Sequence, residues 1–373
     1  MNISFENKWG KSPWRIAFHP KGMRIPRSAD VVIIGGGFSG LSAAAHLARL
    51  ASRRKIVLLE AAEIGAGASG RTGGMTLAET AGGDLPGLGD VLQGFGEILR
   101  ELNIHCDFLQ TGAWEVGRSG GQRKSQISWQ DSGRLRIVRE IPGGTVDAGK
   151  LLGGLARAAT AGGAVLVERC AVSDLRHGKR IRVVTNKGTI SAGQVLVATN
   201  AQSLELTGLQ DKAVPKLTMG VATEPLSAQT VRKIGMESRR PFYTVDLPYL
   251  WGRLTRGNRV IFGCGLVTVK DWEELHTLDV RTGHSAELLE TLKHRVRGLH
   301  PALKNVKFRQ TWGGPILLTD RARPIFEYGR RKNVIHLCGY NGHGVALSVY
   351  LGRWAAEAMV GARKLPHWNR TVQ

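Results

Sequence analysis

The sequence predicts an α/β fold built around a parallel sheet, and three consecutive segments carry that prediction. Residues 29–34 form a short apolar run rich in β-branched side chains, as in strands that are buried on both faces. A glycine-rich turn at 35–40 and an Ala/Leu-rich helix at 41–52 follow, and residues 55–60 form a second buried strand. Because a strand–helix–strand unit returns to the same sheet in parallel, a larger parallel sheet should follow.

The rest of the chain is predicted to alternate between helices and strands. Asp147 is placed to cap a helix that runs to residue 161 and ends at Gly162 and Gly163. Residues 186–188 are expected to form the turn of a hairpin. The remaining predictions are an irregular arm at 1–28, helices at 88–102, 285–299 and 345–360, a strand-rich stretch at 220–308, and strands within 114–141 and at 164–168, 181–185, 189–199 and 333–338.

The composition excludes several classes of protein. The 373 residues are 42% hydrophobic and 22% charged, which argues against a disordered chain, a coiled coil or a collagen-like fibre. The formal net charge of +22 attracts anions, so a nucleic-acid or acidic-membrane surface stands as an alternative to a dispersed, solvated one. The four cysteines have no zinc-like spacing, so we expect no metal site and a reducing compartment.

Residues 31–51 are the one apolar stretch that could pass for a signal or membrane segment. Four glycines, two serines and His46 interrupt it, and it starts too far into the chain for a signal peptide. We therefore expect a cytoplasmic protein with no transmembrane segment. Any contact with a membrane would then be peripheral.

The turn at 35–40 carries a glycine pattern suited to a dinucleotide. The first glycine permits a tight turn, the second lets a pyrophosphate approach the backbone, and the third allows the helix to pack closely on the strand. The helix that opens here presents free N–H groups to the phosphates. Glu60 ends the second strand, where it can accept hydrogen bonds from a ribose, which disfavours NADP. The expected contacts are Gly35, Gly37, Phe38, Ser39, Gly40 and Glu60.

A second glycine-rich loop follows the second strand, at residues 65–74. Its few side chains, with one serine and one arginine, suit a loop whose backbone N–H groups wrap around an anion. An NAD-dependent dehydrogenase has no need of such a loop here, so the two motifs together favour a longer dinucleotide such as FAD. The expected contacts are Ala68, Ser69, Gly70, Arg71 and Gly73.

With these motifs, the chain resembles the D-amino-acid oxidase-like (DAO) family of FAD-dependent oxidoreductases. The resemblance lies in residues 30–44, 59–61 and 67–71, and continues in 142–147, 195–201 and 312–344. Within the family, it is most similar to the γ-glutamylputrescine oxidoreductase branch and to the sarcosine and glycine oxidase branches. The motifs are specific for FAD and much less specific for a substrate.

The resemblance implies two domains, each assembled from separate parts of the chain. A Rossmann-like FAD-binding domain would comprise residues 29–80, 142–218 and 308–365. An α+β substrate domain, with a discontinuous mixed sheet over the flavin, would comprise residues 81–141 and 219–307. The arm at 1–28 would precede both.

The resemblance also implies further contacts with FAD. In similar proteins the chain at Val172 holds the adenine, Thr199 and Asn200 lie near the cofactor, and the last glycine loop faces the pyrimidine end of the flavin. That loop contributes Gly342, His343, Gly344 and Val345. Covalent attachment in the family uses a cysteine that residues 312–320 lack, or a histidine where Thr72 stands. Noncovalent FAD is therefore expected.

The substrate residues are less clearly marked. Tyr243, Trp251 and Arg253 resemble residues lining the family's substrate cavity, and His343 could add a cation or a hydrogen bond; these four are the predicted catalytic residues. The lysine that binds a substrate carboxylate in sarcosine oxidase is Ala346 here. Either another cation, Arg253 or Arg323, binds the carboxylate, or the substrate has none.

The resemblance implies oxidation of a C–N bond in a small amine or amino acid. Hydride would pass from carbon to flavin N5, and the resulting imine would hydrolyse in water. Oxygen or an electron carrier such as a quinone would then accept the electrons. The alternative is an FAD-binding protein that acts on tRNA, or a subunit of a dehydrogenase complex.

Overall fold

The computed structural model describes residues 6–22, 24–120, 126–202 and 204–368, which form two large sheets with helices packed around them. The strands are β1 Ser28–Ile34, β2 Ile56–Leu59, β3 Met75–Leu77, β4 Ala113–Gly117, β5 Arg136–Ile141, β6 Gly143–Thr145, β7 Val165–Val167, β8 Val172–Arg176, β9 Ile181–Thr185, β10 Gly188–Val197, β11 Ala213–Thr223, β12 Phe242–Thr244, β13 Leu250–Leu254, β14 Val260–Thr268, β15 Phe308–Thr319, β16 Ile325–Tyr328 and β17 Val334–Cys338. The helices are α1 Glu6–Trp9, α2 Phe38–Leu50, α3 Val91–Glu101, α4 Ala148–Ala161, α5 Leu204–Thr207, α6 Ala228–Lys233, α7 Trp272–Thr277, α8 Gly283–Leu299 and α9 Gly344–Met359.

The first sheet confirms the predicted α/β fold. Strands β17, β10, β1, β2 and β7 lie side by side in that order and run parallel. Strand β16 closes one edge, and β8 and β9 extend β10 as an antiparallel ribbon. The core of β1 is Val31, Val32 and Ile33, which are fully buried, as expected for a strand covered on both faces.

Helices α2, α4 and α9 cover one face of this sheet, and the β8–β9 ribbon covers the other. Helices α2 and α9 approach closely because α9 has a glycine at the contact. A Cβ atom added at Gly352 would lie 2.5 Å from the carbonyl oxygen of Ser39. Ser42 of α2 donates a hydrogen bond from Oγ to the carbonyl of Val349 at 2.6 Å. This contact fixes the start of α2 relative to α9.

The second sheet is mixed and has the strand order β15-β11-β14-β13-β12-β4-β5. Its neighbours are antiparallel except for β12 and β4, which run parallel. Helix α8 packs its apolar side, Leu289, Leu292 and Val296, into the core on one face. The opposite face meets the second glycine-rich loop, since the indole of Trp312 donates to the carbonyl of Arg71 at 2.8 Å.

Two strands, β11 and β15, belong to a different sheet from the one that the predicted domain boundaries imply. Strand β15 lies in the part assigned to FAD binding, yet it pairs in the second sheet, and so does β11, which spans the predicted boundary at 218. The two-domain division itself stays a prediction. Residues 1–5, 23, 121–125 and 203, which fall within predicted segments, lie outside the described residues.

Several local predictions are confirmed. The side chain of Asp147 accepts a hydrogen bond from the backbone N–H of Lys150 and caps α4, which ends at Ala161 as predicted. Strand β9 has the predicted bounds of 181 and 185. Two predictions were incomplete: β8 was missed, and α2 begins at Phe38 rather than at 41. Among the described residues of the arm that precede β1, α1 is the only helix, and Trp9 is buried.

Candidate active site

The first glycine turn joins β1 to α2 and holds a close backbone contact. Gly35 has a φ of +109°, which favours glycine. A Cβ atom added at Gly40 would collide with the carbonyl oxygen of Gly35. Gly37 occupies the N-cap position of α2 and makes no side-chain capping bond of its own. The start of α2 thus leaves backbone N–H donors for an anion.

Glu60 lies against this turn. One carboxylate oxygen, Oε2, accepts a hydrogen bond from the N–H of Gly36 at 2.7 Å, and Oε1 accepts one from Ala62 at 2.9 Å. Burial raises the pKa of the carboxyl, although these two donors oppose the shift. Each oxygen has a second lone pair, so the predicted contact with a ribose hydroxyl remains chemically open.

The second glycine loop packs against the first turn. The hydroxyl of Ser69 accepts a hydrogen bond from the N–H of Phe38 at 3.0 Å and so connects the loop to the start of α2. Residues Ala68–Arg71 form a 3-10 helix whose N-cap, Gly67, has no capping side chain in the described residues. A Cβ atom at Gly67 would meet nothing within 4 Å, so packing within the protein does not require glycine there.

The side chain of Arg71 points into the protein. Its guanidinium is buried and donates to four backbone carbonyls, those of Ala66, Trp9, Gly10 and Gly313, at 3.0–3.3 Å. It also stacks on the ring of Trp9. The predicted cofactor contact of Arg71 therefore rests on its backbone, while its side chain holds the loop in place.

The third glycine turn lies between β17 and α9 and meets the other two. The hydroxyls of Tyr340 and Ser39 are 2.6 Å apart, which connects this turn to α2. Asn200 accepts a hydrogen bond from the N–H of Gly339 at 3.0 Å. His343 is the N-cap of α9, and a Cβ at Gly342 would meet nothing within 4 Å. Three helix starts thus converge on one region, and at none of them does the N-cap residue itself cap the helix with a side-chain hydrogen bond.

The other predicted cofactor residues, Thr199, Val172 and Val345, lie near these turns. Thr199 lies against Gly35, where an added Cβ would be 3.3 Å from its Cγ2 atom. Val172 begins β8 and is half-buried, beside Cys170, whose N–H donates to the carbonyl of Glu60. Val345 is buried in the first turn of α9.

One residue from each of the seven strands of the second sheet pairs with one residue of the next strand. Together these seven residues form a row across the sheet, on the side of the second glycine loop, and the type of side chain differs between its two halves. One half is aromatic, with glycines beneath the rings, and the other half is polar. Its members are Trp312, Gly220, Gly263, Trp251, Tyr243, Glu115 and Arg139.

The tryptophans of the row lie over its glycines. A Cβ at Gly263 would collide with the ring of Trp251, and one at Gly220 would lie 2.6 Å from the ring of Trp312. The Trp251 ring also touches the second loop, because a Cβ at Gly73 would collide with it. Trp251 therefore connects the sheet to the predicted cofactor loop, while its predicted role in lining a substrate cavity stays a prediction.

The polar half of the row brings together groups that sequence reasoning missed. The hydroxyl of Tyr243 lies 2.7 Å from Oε1 of Glu115 and 3.3 Å from Oε1 of Glu79. Arg139 binds Glu115 through two hydrogen bonds, at 2.8 and 2.9 Å. The ring of Tyr243 meets the ring of His343 edge-on, with centroids 6.4 Å apart. Tyr243 thus connects the acidic groups to the start of α9.

The electrostatics of this cluster fix its protonation. The hydrogen bond from Arg139 lowers the pKa of Glu115, so this carboxylate is ionised at neutral pH. Burial, together with Glu115, raises the pKa of Tyr243, which stays protonated and donates to Glu115. Burial lowers the pKa of His343, which is therefore neutral.

A family model described as FAD dependent oxidoreductase (DAO) matches residues 30–358. The chain belongs to this family. Gamma-glutamylputrescine oxidoreductase from Escherichia coli (strain K12) is 31% identical to it, over 91% of this chain and 87% of that protein. Glycine oxidase from Geobacillus kaustophilus (strain HTA426) is 25% identical, over 88% of this chain and 92% of that protein. The crystal structure of glycine oxidase from Geobacillus kaustophilus has the same fold, with a TM-score of 0.76 at 20% identity, covering 93% of this chain and 99% of that one.

The described residues of this DAO-family protein fit FAD. The three helix starts offer N–H donors to anionic groups, and Gly67 leaves open space where a ligand can approach the backbone. Trp251 and Tyr243 lie on the sheet that faces these turns. FAD dependence is thus shown by the family and fits the site, whereas noncovalent attachment stays a prediction.

The guanidinium of Arg253, which was predicted to line a substrate cavity, instead binds backbone carbonyl groups. Its guanidinium is buried and donates to the carbonyls of Gly74, at 3.0 Å, and Val146. It lies over the ring of Trp14, and burial lowers its pKa to about 10. These contacts connect β13 to the end of the second glycine loop. We therefore regard Arg253 as a residue that positions the loop rather than one that binds a substrate carboxylate.

Across the ranges that the structure describes, no group of three or more His, Cys, Asp or Glu side chains is arranged to hold a metal ion. Within those same ranges, no helix has both the length and the apolar character needed to cross a bilayer.

Proposed function

We propose that this DAO-family protein oxidises a C–N bond of a small amine to an imine, which water then hydrolyses. FAD, when bound, supplies the acceptor for the hydride that leaves the carbon next to nitrogen. The relative from Escherichia coli is named for an amine derivative, γ-glutamylputrescine, which supports an amine as the substrate class. Oxygen and a separate electron carrier remain the two candidate final acceptors, and peroxide formation in air would distinguish them.

The carboxylate of Glu79 is the observation that favours an amine over an amino acid. Glu79 is half-buried and contacts the hydroxyl of Tyr243 at 3.3 Å. Among the described residues, no cation lies within ion-pair distance of it, although the chain has a net charge of +22. Arg139 already neutralises Glu115. A substrate ammonium would complete the pairing at Glu79, whereas a carboxylate would be repelled there.

This arrangement narrows the substrate class. The amine that reacts must be neutral, because an ammonium group has no lone pair to stabilise the developing imine. Glu79 instead favours a cation. We therefore infer that the substrate carries a second amino group, protonated, which binds at Glu79 while the reacting amine lies near the third turn.

His343 is placed to take up the proton of the reacting amine. Its Nδ1 lies 3.3 Å from the carbonyl of Asn341, and a proton on Nδ1 leaves the lone pair of Nε2 available. Because burial lowers its pKa, the ring is neutral at physiological pH and can accept a proton. Tyr243 and Trp251 would form the wall that orients the substrate and excludes water.

Anaerobic mixing of the FAD-loaded protein with a panel of compounds tests this function. The panel comprises a diamine, the monoamine of the same chain length, glycine and sarcosine, and the readout is bleaching of the flavin's visible absorbance. We expect the diamine to bleach the flavin fastest. Bleaching by glycine or sarcosine alone would overturn the proposal.

A second candidate, binding of a polyanion such as tRNA, is favoured by a basic edge of the first sheet. The basic edge consists of nine exposed residues at the ends opposite the glycine turns: Arg27, Arg53, Arg54, Lys55, Lys179, Arg180, Arg330, Arg331 and Lys332. None of them forms an ion pair with an acid in the described part of the chain. Asp30 is the acid nearest to them along the strand ends, and it accepts from the N–H of Lys55.

Gel-shift titration with bulk tRNA at rising salt tests this second candidate. Counterion release predicts steeply weaker binding as salt increases. Charge reversal of Arg330 and Arg331 should abolish the shift, whereas the same reversal at exposed Arg232 and Lys233 of α6 should leave it unchanged. The absence of any shift at low salt would remove this candidate.

A further inference from the structure

The described part of the N-terminal arm, residues 6–22, lies against the second glycine loop. The arm lies before residue 30, where the match to the family model begins. Gly10 forms a β-bridge with Trp312 of β15, and the carbonyl of Lys8 accepts a hydrogen bond from the N–H of Val280 at 2.8 Å. The arm is thus anchored to the second sheet before it reaches the loop.

Two side chains of the arm bind carbonyl groups of the loop. The hydroxyl of Ser12 donates to the carbonyl of Gly70 at 2.6 Å. The indole N–H of Trp14 donates to the carbonyl of Thr72 at 2.7 Å. The Trp14 ring is held in turn by the guanidinium of Arg253, 5.6 Å from its centroid. Both donors reach the loop from the same segment of chain, two residues apart.

The buried guanidinium of Arg71 strengthens the same contact from the loop side. It donates to the carbonyls of Trp9 and Gly10 in the arm and to that of Gly313 in β15. The loop, the arm and the second sheet therefore meet at one buried charge. All three of these carbonyls accept from the same nitrogen, Nη1, so this side of the guanidinium is used within the protein.

The bond from Trp14 fixes the direction of a backbone donor in the loop. In a trans peptide, the carbonyl of one residue and the N–H of the next point in opposite directions. The carbonyl of Thr72 points to Trp14, so the N–H of Gly73 points away from the arm. Gly73 is buried, and among the described residues its N–H has no hydrogen-bond acceptor. A buried N–H of this kind needs a partner.

We propose that Trp14 is a positioning residue for the cofactor. By holding the Thr72 carbonyl, its indole N–H turns the N–H of Gly73 toward FAD and keeps the loop in the conformation that binds it. Ser12 assists by holding the carbonyl of Gly70. The arm, although it precedes the family's matched segment, is part of the cofactor site.

The test measures FAD affinity rather than turnover. Trp14→Phe keeps an aromatic ring beside Arg253 and removes the indole donor, and the control below accounts for the smaller ring. We expect the dissociation constant for FAD, measured by flavin fluorescence with the apoprotein, to rise about fivefold, as for the loss of one neutral hydrogen bond. Ser12→Ala should raise it as well.

Trp368→Phe is the matched control, because its indole N–H donates to the carbonyl of Pro86 at 2.8 Å, outside the glycine loop. Its FAD affinity should equal that of the wild type. A role confined to stability would lower the unfolding temperature of the apoprotein and leave the FAD dissociation constant unchanged. Unchanged affinity in both Trp14→Phe and Ser12→Ala, or an equal loss in Trp368→Phe, would overturn the proposal.

Discussion

Tyr243 illustrates how much of the site depends on a single hydroxyl group. Its proton lies between two carboxylates, those of Glu115 and Glu79, and its ring contacts His343. Burial and the neighbouring carboxylates raise its pKa, so the phenol remains a donor throughout the physiological pH range. The hydroxyl thus helps, together with Arg139, to hold the acids beside the third turn.

Tyr243→Phe should lower kcat/KM for an amine about tenfold, because the two carboxylates lose the hydrogen bond that places them. Steady-state kinetics with the FAD-loaded variant measure the change. Tyr328→Phe is the control, since Tyr328 is exposed on β16 and should have wild-type kinetics. Wild-type kcat/KM in Tyr243→Phe would show that the hydroxyl has no such role.

At the residue scale, the sequence singled out the glycines of the turns and Glu60, but not the acids around Tyr243. Gly35, Gly40 and Glu60 follow each other in a local pattern, so their roles could be derived from spacing. Glu79 and Glu115 reach Tyr243 across more than a hundred residues of chain. No local pattern carries that information, because it depends on the pairing of β4 with β12.

At the scale of elements, the row across the second sheet depends on glycines beneath large rings. Gly263→Ala should push the Trp251 ring away from its position and toward the Gly73 loop, because the new Cβ would collide with the ring. We expect the free energy of unfolding to fall by about 1–3 kcal/mol, as for other overpacked sites. Urea denaturation of the apoprotein measures it.

Gly298→Ala provides the control for this substitution. Gly298 is exposed near the end of α8, and an added Cβ there would meet nothing within 4 Å. Alanine should leave stability unchanged or raise it by about 1 kcal/mol, because alanine favours helix. Equal stability of Gly263→Ala and the wild type would contradict the packing of Trp251 described here.

Element boundaries could be predicted where a local signal marks them. Asp147 at the start of α4 is such a signal, and the predicted helix was confirmed. The start of α2 was placed three residues late because Gly37 and Gly40 were assigned to a turn, whereas Gly40 lies in the helix and packs on Gly35. Strand β8 was missed because it carries exposed polar residues on an outer ribbon.

At the scale of the whole molecule, the buried histidine His336 contributes to the loss of stability in acid. Burial lowers the pKa of His336 in β17 from its ordinary value of 6.5 to about 4, with Lys212 and His177 adding to the shift. The unfolded chain therefore binds a proton that the folded chain does not. Stability should be fully present above pH 6.5 and fall as the pH decreases toward about 4.

This effect can be measured as the free energy of unfolding between pH 7 and pH 4. A shift of this size corresponds to about 3 kcal/mol for His336. His336→Gln should remove part of the pH dependence, so its unfolding free energy should fall less steeply with acid than that of the wild type. Parallel curves for the two proteins would show that His336 does not titrate as described.

The α/β class and the parallel direction of the strands in the first sheet could be predicted, because buried β-branched strands and glycine turns are local features. The mixed second sheet was expected only from resemblance to the family. The pairing of β15 and β11, which crosses the predicted domain boundaries, joins distant segments and has no local sequence signal.

Reduction of the bound flavin under anaerobic conditions, in three proteins, tests the central claim most directly. The wild type, Glu79→Gln and the exposed control Glu287→Gln are each mixed with a diamine and with the monoamine of equal length. We expect the diamine to reach half-saturation at about tenfold lower concentration than the monoamine in the wild type and in Glu287→Gln, as for a hydrogen bond to a charged group. Glu79→Gln should lose that preference. Equal half-saturation by the two amines in the wild type, or an unchanged preference in Glu79→Gln, would contradict the central claim.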